Sequence, residues 1–180
     1  MRDSGPYTRV LTTARLTLRP HTRDDLDDVV ALWADPVVTR FIGGRTSTRE
    51  ESWSRLLRYV GHWELVGFGF WTVRETATGR FVGEVGLADF MREIEPSFHG
   101  APEAGWVLVP EFHGKGYATE AVRAAIAWGS ARFGQGFRVT CLIEEGNAAS
   151  VRVAHKTGFR EFARTDYKGS KVVLYERAGV

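Results

Sequence analysis

Cysteine is nearly absent from this chain. Cys141 stands alone among 180 residues, which excludes an internal disulfide and a cysteine-built metal cluster. Lysine is scarce as well: only Lys115, Lys156, Lys168 and Lys171 occur, so almost all the positive charge is arginine. The formal net charge is only +2, with acidic residues interleaved among the basic ones, so the clustered basic footprint of a nucleic-acid binder is missing. No apolar run approaches the roughly 20 residues that cross a bilayer. Residues 1–11 are polar and lack the apolar stretch of a signal peptide. The expectation is a cytoplasmic protein without a membrane partner. His21, His62, His99, His113 and His155 show no paired ligand spacing, so no metal site is expected. There is no Gly-x-Ser-x-Gly elbow of a hydrolase, no repeat and no linker.

What is present reads as one domain over residues 1–180. Hydrophobic residues make up 43% and charged residues 26%, enough for a core beneath a soluble surface. Strand and helix signals alternate, the pattern of a layered α+β (α/β) domain. Residues 15–19 alternate polar and apolar as a half-buried strand, and Pro20 ends it. Thr22 is placed to cap a helix through Leu26, Val29, Val30 and Trp33, which Asp35-Pro36 stops. Ser47 and Glu50 have capping-box spacing before Trp53, Leu56, Leu57 and Val60. Residues 67–74 and 80–88 read as a hairpin, 103–109 as the next strand, and 116–133 as an amphipathic helix. Residues 138–143 form a strand, and 148–156 a short helix capped by Asn147. Residues 159–164 and 171–176 are closing strands. Trp33, Phe41, Trp53, Trp63, Phe68, Phe70 and Trp71 make the front half aromatic, and most of them are expected in the core.

The most informative stretch is Val107-Leu108-Val109-Pro110-Glu111-Phe112-His113-Gly114-Lys115-Gly116-Tyr117-Ala118-Thr119-Glu120. A strand runs through a loop with two glycines straight into a helix. The first turn of a helix carries free N–H groups and about half a positive charge. Glycines let that backbone approach an anion closely. A phosphate or pyrophosphate site between His113 and Thr119 follows, with Lys115 nearby; glycines that merely turn the chain are the alternative. The spacing of a P-loop is absent, and neither glycine pair supplies the three glycines of a dinucleotide fingerprint.

Residues 110–118 resemble the coenzyme A-binding signature of the GNAT N-acetyltransferase superfamily, Gln/Arg-x-x-Gly-x-Gly/Ala. His113, Gly116 and Ala118 occupy its first, fourth and sixth positions, and His113 is a departure from it. Residues 13–20, Gly83-Glu84-Val85-Gly86-Leu87, Glu103-Ala104-Gly105-Trp106, Asn147-Ala148-Ala149-Ser150 and Lys156-Thr157-Gly158-Phe159 are similar to segments of the RimJ/RimL-type branch, in the same order over about residues 10–177. The resemblance implies a seven-stranded, mostly antiparallel sheet flanked by helices. Its fourth and fifth strands, here 103–109 and 138–143, splay to admit the cofactor's pantetheine arm. That arm would add to the strand edge near Val107, Leu108 and Val109 in the strand-addition mode. Acetyl-coenzyme A is then the cosubstrate, held by residues 107–109 and 113–119 with Asn147, Ser150 and Lys156.

Transfer from a thioester to an alkyl amine needs a neutral amine, donors for the oxyanion and a proton for the departing thiolate. Glu103, at the start of the strand beside the cofactor, is the first candidate base, and Glu84 on the neighbouring strand the second; a solvated strand-end carboxylate is the alternative for Glu103. Many family members use a Tyr four residues before the Gly-Phe pair, a position held here by Ala154. Ser150 is the branch's counterpart, with first-turn capping as its other reading. Asn147 can cap the helix and bond the pantetheine as well. Cys141 on an interior strand reads as a small hydrophobe, so direct transfer without a covalent enzyme intermediate is expected. The acceptor is a protein N-terminal amine or a small-molecule amine. A non-catalytic acyl-coenzyme A sensor on the same fold is the rival, and a homodimer is an open assembly.

Overall fold

The computed structural model describes residues 8–178 except residue 99, so His99 and the first seven residues of the polar start lie outside the described residues. Eight strands form one sheet in the order β1-β2-β3-β4-β5-β6-β8-β7. They are β1 (Leu11–Thr12), β2 (Leu16–Pro20), β3 (Phe70–Glu75), β4 (Phe81–Ala88), β5 (Glu103–Leu108), β6 (Arg138–Glu144), β7 (Arg160–Tyr167) and β8 (Ser170–Ala178). Neighbours run antiparallel except β5 and β6. The expected seven strands become eight because two residues of β1 pair with Leu18 and Thr17, a rung too short to leave a periodic signal. The splay expected between strands four and five therefore falls between β5 and β6.

Helices α1 (Leu26–Trp33), α2 (Pro36–Thr39) and α3 (Arg49–Val66) cover one face; α4 (Tyr117–Phe133) covers the other, and α5 (Ala148–Lys156) follows β6. Alternation along β5 separates the faces: Val107 packs with Val29, Leu32, Trp33 and Leu56, whereas Leu108 packs with Ala121, Val122 and Ala125. Trp33, Trp63, Phe70 and Trp71 are buried as expected. Phe41 instead lines a cleft. Trp63, Trp71 and Trp128 meet edge to face with centroids 5.0–5.6 Å apart. Gly86 and Gly105 let Phe70 lie across β4 and β5; a Cβ at Gly86 would come within 2.4 Å of the Phe70 Cα.

Three boundaries differ from the sequence expectation. The capping box sits one residue later, with Thr48 Oγ1 accepting from the Glu51 N–H and the Glu51 carboxylate accepting from the Thr48 N–H. Asp35-Pro36 ends α1 but also starts α2, because the Asp35 side chain accepts from the Val37 N–H at 2.8 Å and proline suits a first helical position. Gly67 is not in a strand: at φ 77° it is the left-handed stop of α3, and β3 begins three residues later. Among the described residues no helix is long and apolar enough to cross a membrane.

The turn into α1 is held by one buried carboxylate. Asp25 accepts from both terminal nitrogens of Arg19 and from Arg74 Nη2, each at 2.8 Å, and from the Thr22 N–H. Burial alone would raise its carboxyl, yet the Arg19 and Arg74 hydrogen bonds hold it well below the usual carboxylate range. A depressed folded value gives stability that is present above the unfolded value and lost as pH falls through the folded one. Asp25→Asn should therefore cost about 2–4 kcal/mol near neutral pH, the two arginines keeping part of their water. The gap from wild type should narrow once pH drops below about 4. Urea midpoints at neutral and acid pH check both parts.

Candidate functional site

β5 and β6 share a single rung, Glu103 opposite Thr140, with the Thr140 N–H donating to the Pro102 carbonyl at 3.0 Å. Beyond it the two strands part. The gap becomes a cleft of about 340 Å³ between the end of β5, the start of α4, the start of α5 and the segment after α1. That volume lies within the range of small-ligand sites. Its β5 wall includes Trp106, Val107 and Leu108. Val109 was expected to offer its backbone to a ligand, but its N–H is already given to the Val82 carbonyl at 2.9 Å, so that expectation is corrected. Backbone direction alternates along a strand, so the groups of Trp106 and Leu108 face the open side.

Pro110–Phe112 form one 3-10 turn, and Gly114 and Gly116 follow with φ of 72° and 83°. Only glycine adopts these left-handed values without strain. The sharp reversal aims the first turn of α4 into the cleft, and no side chain caps that terminus. Gly114, Gly116, Tyr117, Ala118 and Thr119 all line the opening. Free amides and a positive helix end are the features that suit an anion. His113 does not point its imidazole at a ligand; Nε2–H donates to the Leu108 carbonyl at 2.8 Å and ties the loop to the strand. Lys115 is exposed, and its carbonyl accepts from Arg15.

Glu120 is the acidic residue of that first turn, and it is turned away from the cleft. It accepts from Thr13 Oγ1 at 2.6 Å and from Arg15 Nε at 2.7 Å. Burial pushes its carboxyl up, while the Thr13 and Arg15 bonds bring it down further. Its charge is thus occupied by Arg15, whose guanidinium lies 4.2 Å over the Tyr117 ring. Tyr117 in turn donates to Glu75 at 2.5 Å. The start of α4 is braced on the turn between β1 and β2 and on β3.

On the opposite wall, Asn147 caps α5 by accepting from the Ser150 N–H at 3.1 Å. Asn147, Ser150 and Lys156 all line the cleft. The structure therefore brings together Val107, Leu108, His113, Gly114, Gly116–Thr119, Asn147, Ser150 and Lys156, and leaves Lys115 at the rim. The sequence reading missed Val37, Val38, Arg40, Ile42 and Arg152, which also line the cleft. Arg152 falls on the exposed side of a short helix and Arg40 in a connection, where no periodic signal marks them.

The two candidate carboxylates sit apart from each other. Glu103 lies at the closed end of the strand pair, where Arg92 grips both its oxygens, at 2.5 and 2.7 Å. It borders a different cavity, of about 490 Å³, walled by Phe68, Phe90, Phe98 and Phe133. The expectation of a strand-end carboxylate beside the cofactor, or a solvated one, meets a buried ion pair instead. Glu84 is fully buried on the cap side of β4. It is directly opposite Val107 and thus one strand behind the cleft wall. Cys141 is buried, and burial, followed by the charge of Glu103, pushes its thiol well up, which suits a packing role and not a nucleophile.

Comparison with known proteins supplies the family. The acetyltransferase (GNAT) domain profile matches residues 15–160. The uncharacterized Bacillus subtilis protein YkkB is 31% identical over 175 residues, covering 93% of this chain and 94% of its own. A solved structure from Bordetella pertussis, assigned to the GnaT family of acetyltransferases, is 32% identical with TM-score 0.83 and covers 95% of this chain and all of its own. RimL, a ribosomal L7/L12 α-N-protein acetyltransferase solved with coenzyme A, shares the fold at TM-score 0.76 and 17% identity, over 94% of this chain and 97% of its own.

The His113 contact can be tested by itself. His113→Ala should cost about 1 kcal/mol, one part-buried hydrogen bond, in a thermal melt. His113→Gln, which can keep an N–H on the Leu108 carbonyl, should recover much of it.

Proposed function

Because the chain belongs to the GNAT acetyltransferase family, whose members acetylate amines, we propose that it takes acetyl from acetyl-coenzyme A and transfers it directly to a primary amine. The acceptor we favour is a protein N-terminal amine, in the manner of the RimJ/RimL branch, or a small-molecule amine. The observation that carries the reading is the uncapped, glycine-led start of α4 opening into the gap between β5 and β6.

In this reading the amides of residues 114–119 hold the diphosphate, with Lys115, Arg152 and Lys156 adding charge at the rim. The pantetheine arm runs toward the closed end of the strand pair along the edge at Trp106 and Leu108, and Asn147 meets it from α5. The acceptor nitrogen attacks the thioester carbon, the carbon–sulfur bond breaks, and the Ser150 hydroxyl passes a proton to the thiolate while regaining one from the new amide nitrogen. Each positioned proton donor or acceptor is worth about 10²–10⁴ in rate. Burial of Cys141 supports transfer without a covalent intermediate.

Calorimetric titration with acetyl-coenzyme A, then thiol release across a panel of peptides and small amines, tests the reading. Gly116→Glu should abolish binding; a Cβ there meets only the far end of Arg15 at 3.5 Å, but a side chain at φ 83° is strained, so the thermal transition should persist at a lowered midpoint. Ser150→Ala should bind normally and turn over about 10²-fold more slowly. Wild-type affinity in Gly116→Glu would refute the placement. Binding without thiol release from any amine would favour an acyl-coenzyme A sensor.

A further inference from the structure

Gly86 on β4 and Gly105 on β5 stand directly opposite each other, and Phe70 on β3 is the partner of Gly86. Neither glycine has a positive φ, so the backbone does not require glycine at either place. The Phe70 ring requires both. A Cβ at Gly86 would meet its Cγ at 2.5 Å, and a Cβ at Gly105 would meet its Cζ at 2.7 Å. The ring therefore crosses β4 and carries its tip over β5. Glycine inside a strand weakens it and often marks a close approach of a ligand or of another group. Two of them beneath one ring ask for a reason, because branched side chains on β4 and β5 would fill the same space.

The place of the ring tip supplies that reason. The free edge of β5 begins after the Glu103–Thr140 rung, which the Thr140 N–H closes on the Pro102 carbonyl. A ligand arm following that edge from Leu108 past Trp106 runs out of open strand within two residues, Gly105 and Ala104. Val107 and Gly105 face the same side of the sheet, toward the helical cap. Val107 walls the cleft with its own side chain, whereas at Gly105 the wall is the tip of the Phe70 ring. That ring is held. It is buried, stacks on Tyr59 with centroids 4.8 Å apart and planes at 11°, and meets Phe90 at 6.2 Å. The Tyr59 hydroxyl donates in turn to Glu84, and the Phe70 carbonyl accepts from Trp63 Nε1 at 2.9 Å.

We propose that Phe70 sets the length of the acyl group this protein transfers. Its ring tip, seated over Gly105, is the end wall against which the methyl of an acetyl thioester packs, and it excludes longer chains. The inference rests on the cleft being the acetyl-coenzyme A site. An arm laid along Leu108 and Trp106 brings its thioester to the level of Gly105, with the ring tip on the cap side of the acyl carbons. One further methylene fits only if the ring moves, and the Tyr59 stack and the pairing of β3 with β4 oppose that. Coenzyme A without an acyl group does not reach the ring, so its binding is indifferent to Phe70.

The test compares acetyl-, propionyl- and butyryl-coenzyme A in the full chain, with any amine that gives thiol release. Wild type should favour acetyl over propionyl by about 10–200-fold in kcat/KM, the range for one methylene in a close-fitting pocket. Phe70→Leu, which shortens the tip, should raise the propionyl-to-acetyl ratio about tenfold and leave calorimetric binding of coenzyme A unchanged. Phe70→Tyr lengthens the tip by one oxygen and should act in the opposite sense, weakening acetyl-coenzyme A relative to coenzyme A. If Phe70→Leu does not fold, Phe70→Tyr decides. Wild type that uses butyryl as readily as acetyl overturns the proposal. A loss shared equally by all three thioesters in the folded variants leaves Phe70 a packing residue and overturns it too. Wild-type protein that binds no acetyl-coenzyme A fails at the calorimeter, before any variant, and removes the functional reading together with this inference.

Discussion

The parting of β5 from β6 after one rung is the constraint on which the rest of the molecule depends. A sheet gains stability from every rung it closes, and here two adjacent strands forgo theirs from Trp106 onward. The unpaired backbone at that edge must be satisfied by something other than a strand. Leu108 finds a partner in the His113 side chain. The remaining edge is open to an extended ligand, as sheet edges are generally. The gap also creates the space into which α4 and α5 direct their first turns. Without the divergence, the bare helix end would face a closed sheet.

The surroundings hold that gap open by bracing its walls separately. The α4 side hangs on the turn between β1 and β2 through Glu120 and Arg15 and on β3 through Tyr117 and Glu75. The cap formed by α1, α2 and α3 is fixed by two buried carboxylates, Asp25 at its start and Glu84 beneath it. Arg92 clamps the closed end by gripping Glu103. Asp25 and Glu84 are each met by donors from several places in the chain, whereas Glu103 is met by both prongs of Arg92. At Asp25 and Glu103 arginine is the partner because its planar fork engages both oxygens of a carboxylate.

Local signals in the sequence were legible where a single residue type dictates the backbone. Pro20, the glycines of the α4 loop and the Asn147 cap place element ends that agree with the structure. Alternation fixed the strands, and the glycine-led helix start stood out by its chemistry. Legibility failed where the outcome was set by distant partners. The one-residue shift of the capping box from Ser47 to Thr48 depends on which glutamate the helix can turn inward. That Glu103 would be claimed by Arg92, eleven positions earlier, leaves no periodic mark. Nor does a sequence disclose that His21, Trp33 and Tyr59 converge on Glu84 from three separate elements. The family resemblance ordered the motifs correctly along the chain, but it could not say which strand groups were already spoken for, and Val109 was.

The brace on the α4 start has a kinetic consequence. A phosphate-binding loop that is slack in the free protein must be ordered by each arriving ligand, which lowers the fraction of productive encounters. Here Arg15, Tyr117 and His113 hold the amides in place beforehand. A conformational tax of that kind falls away. On the proposed reading, arrival at the helix end is then governed by diffusion and the pull of a positive rim, and differences among anions should be expressed in how long each one stays.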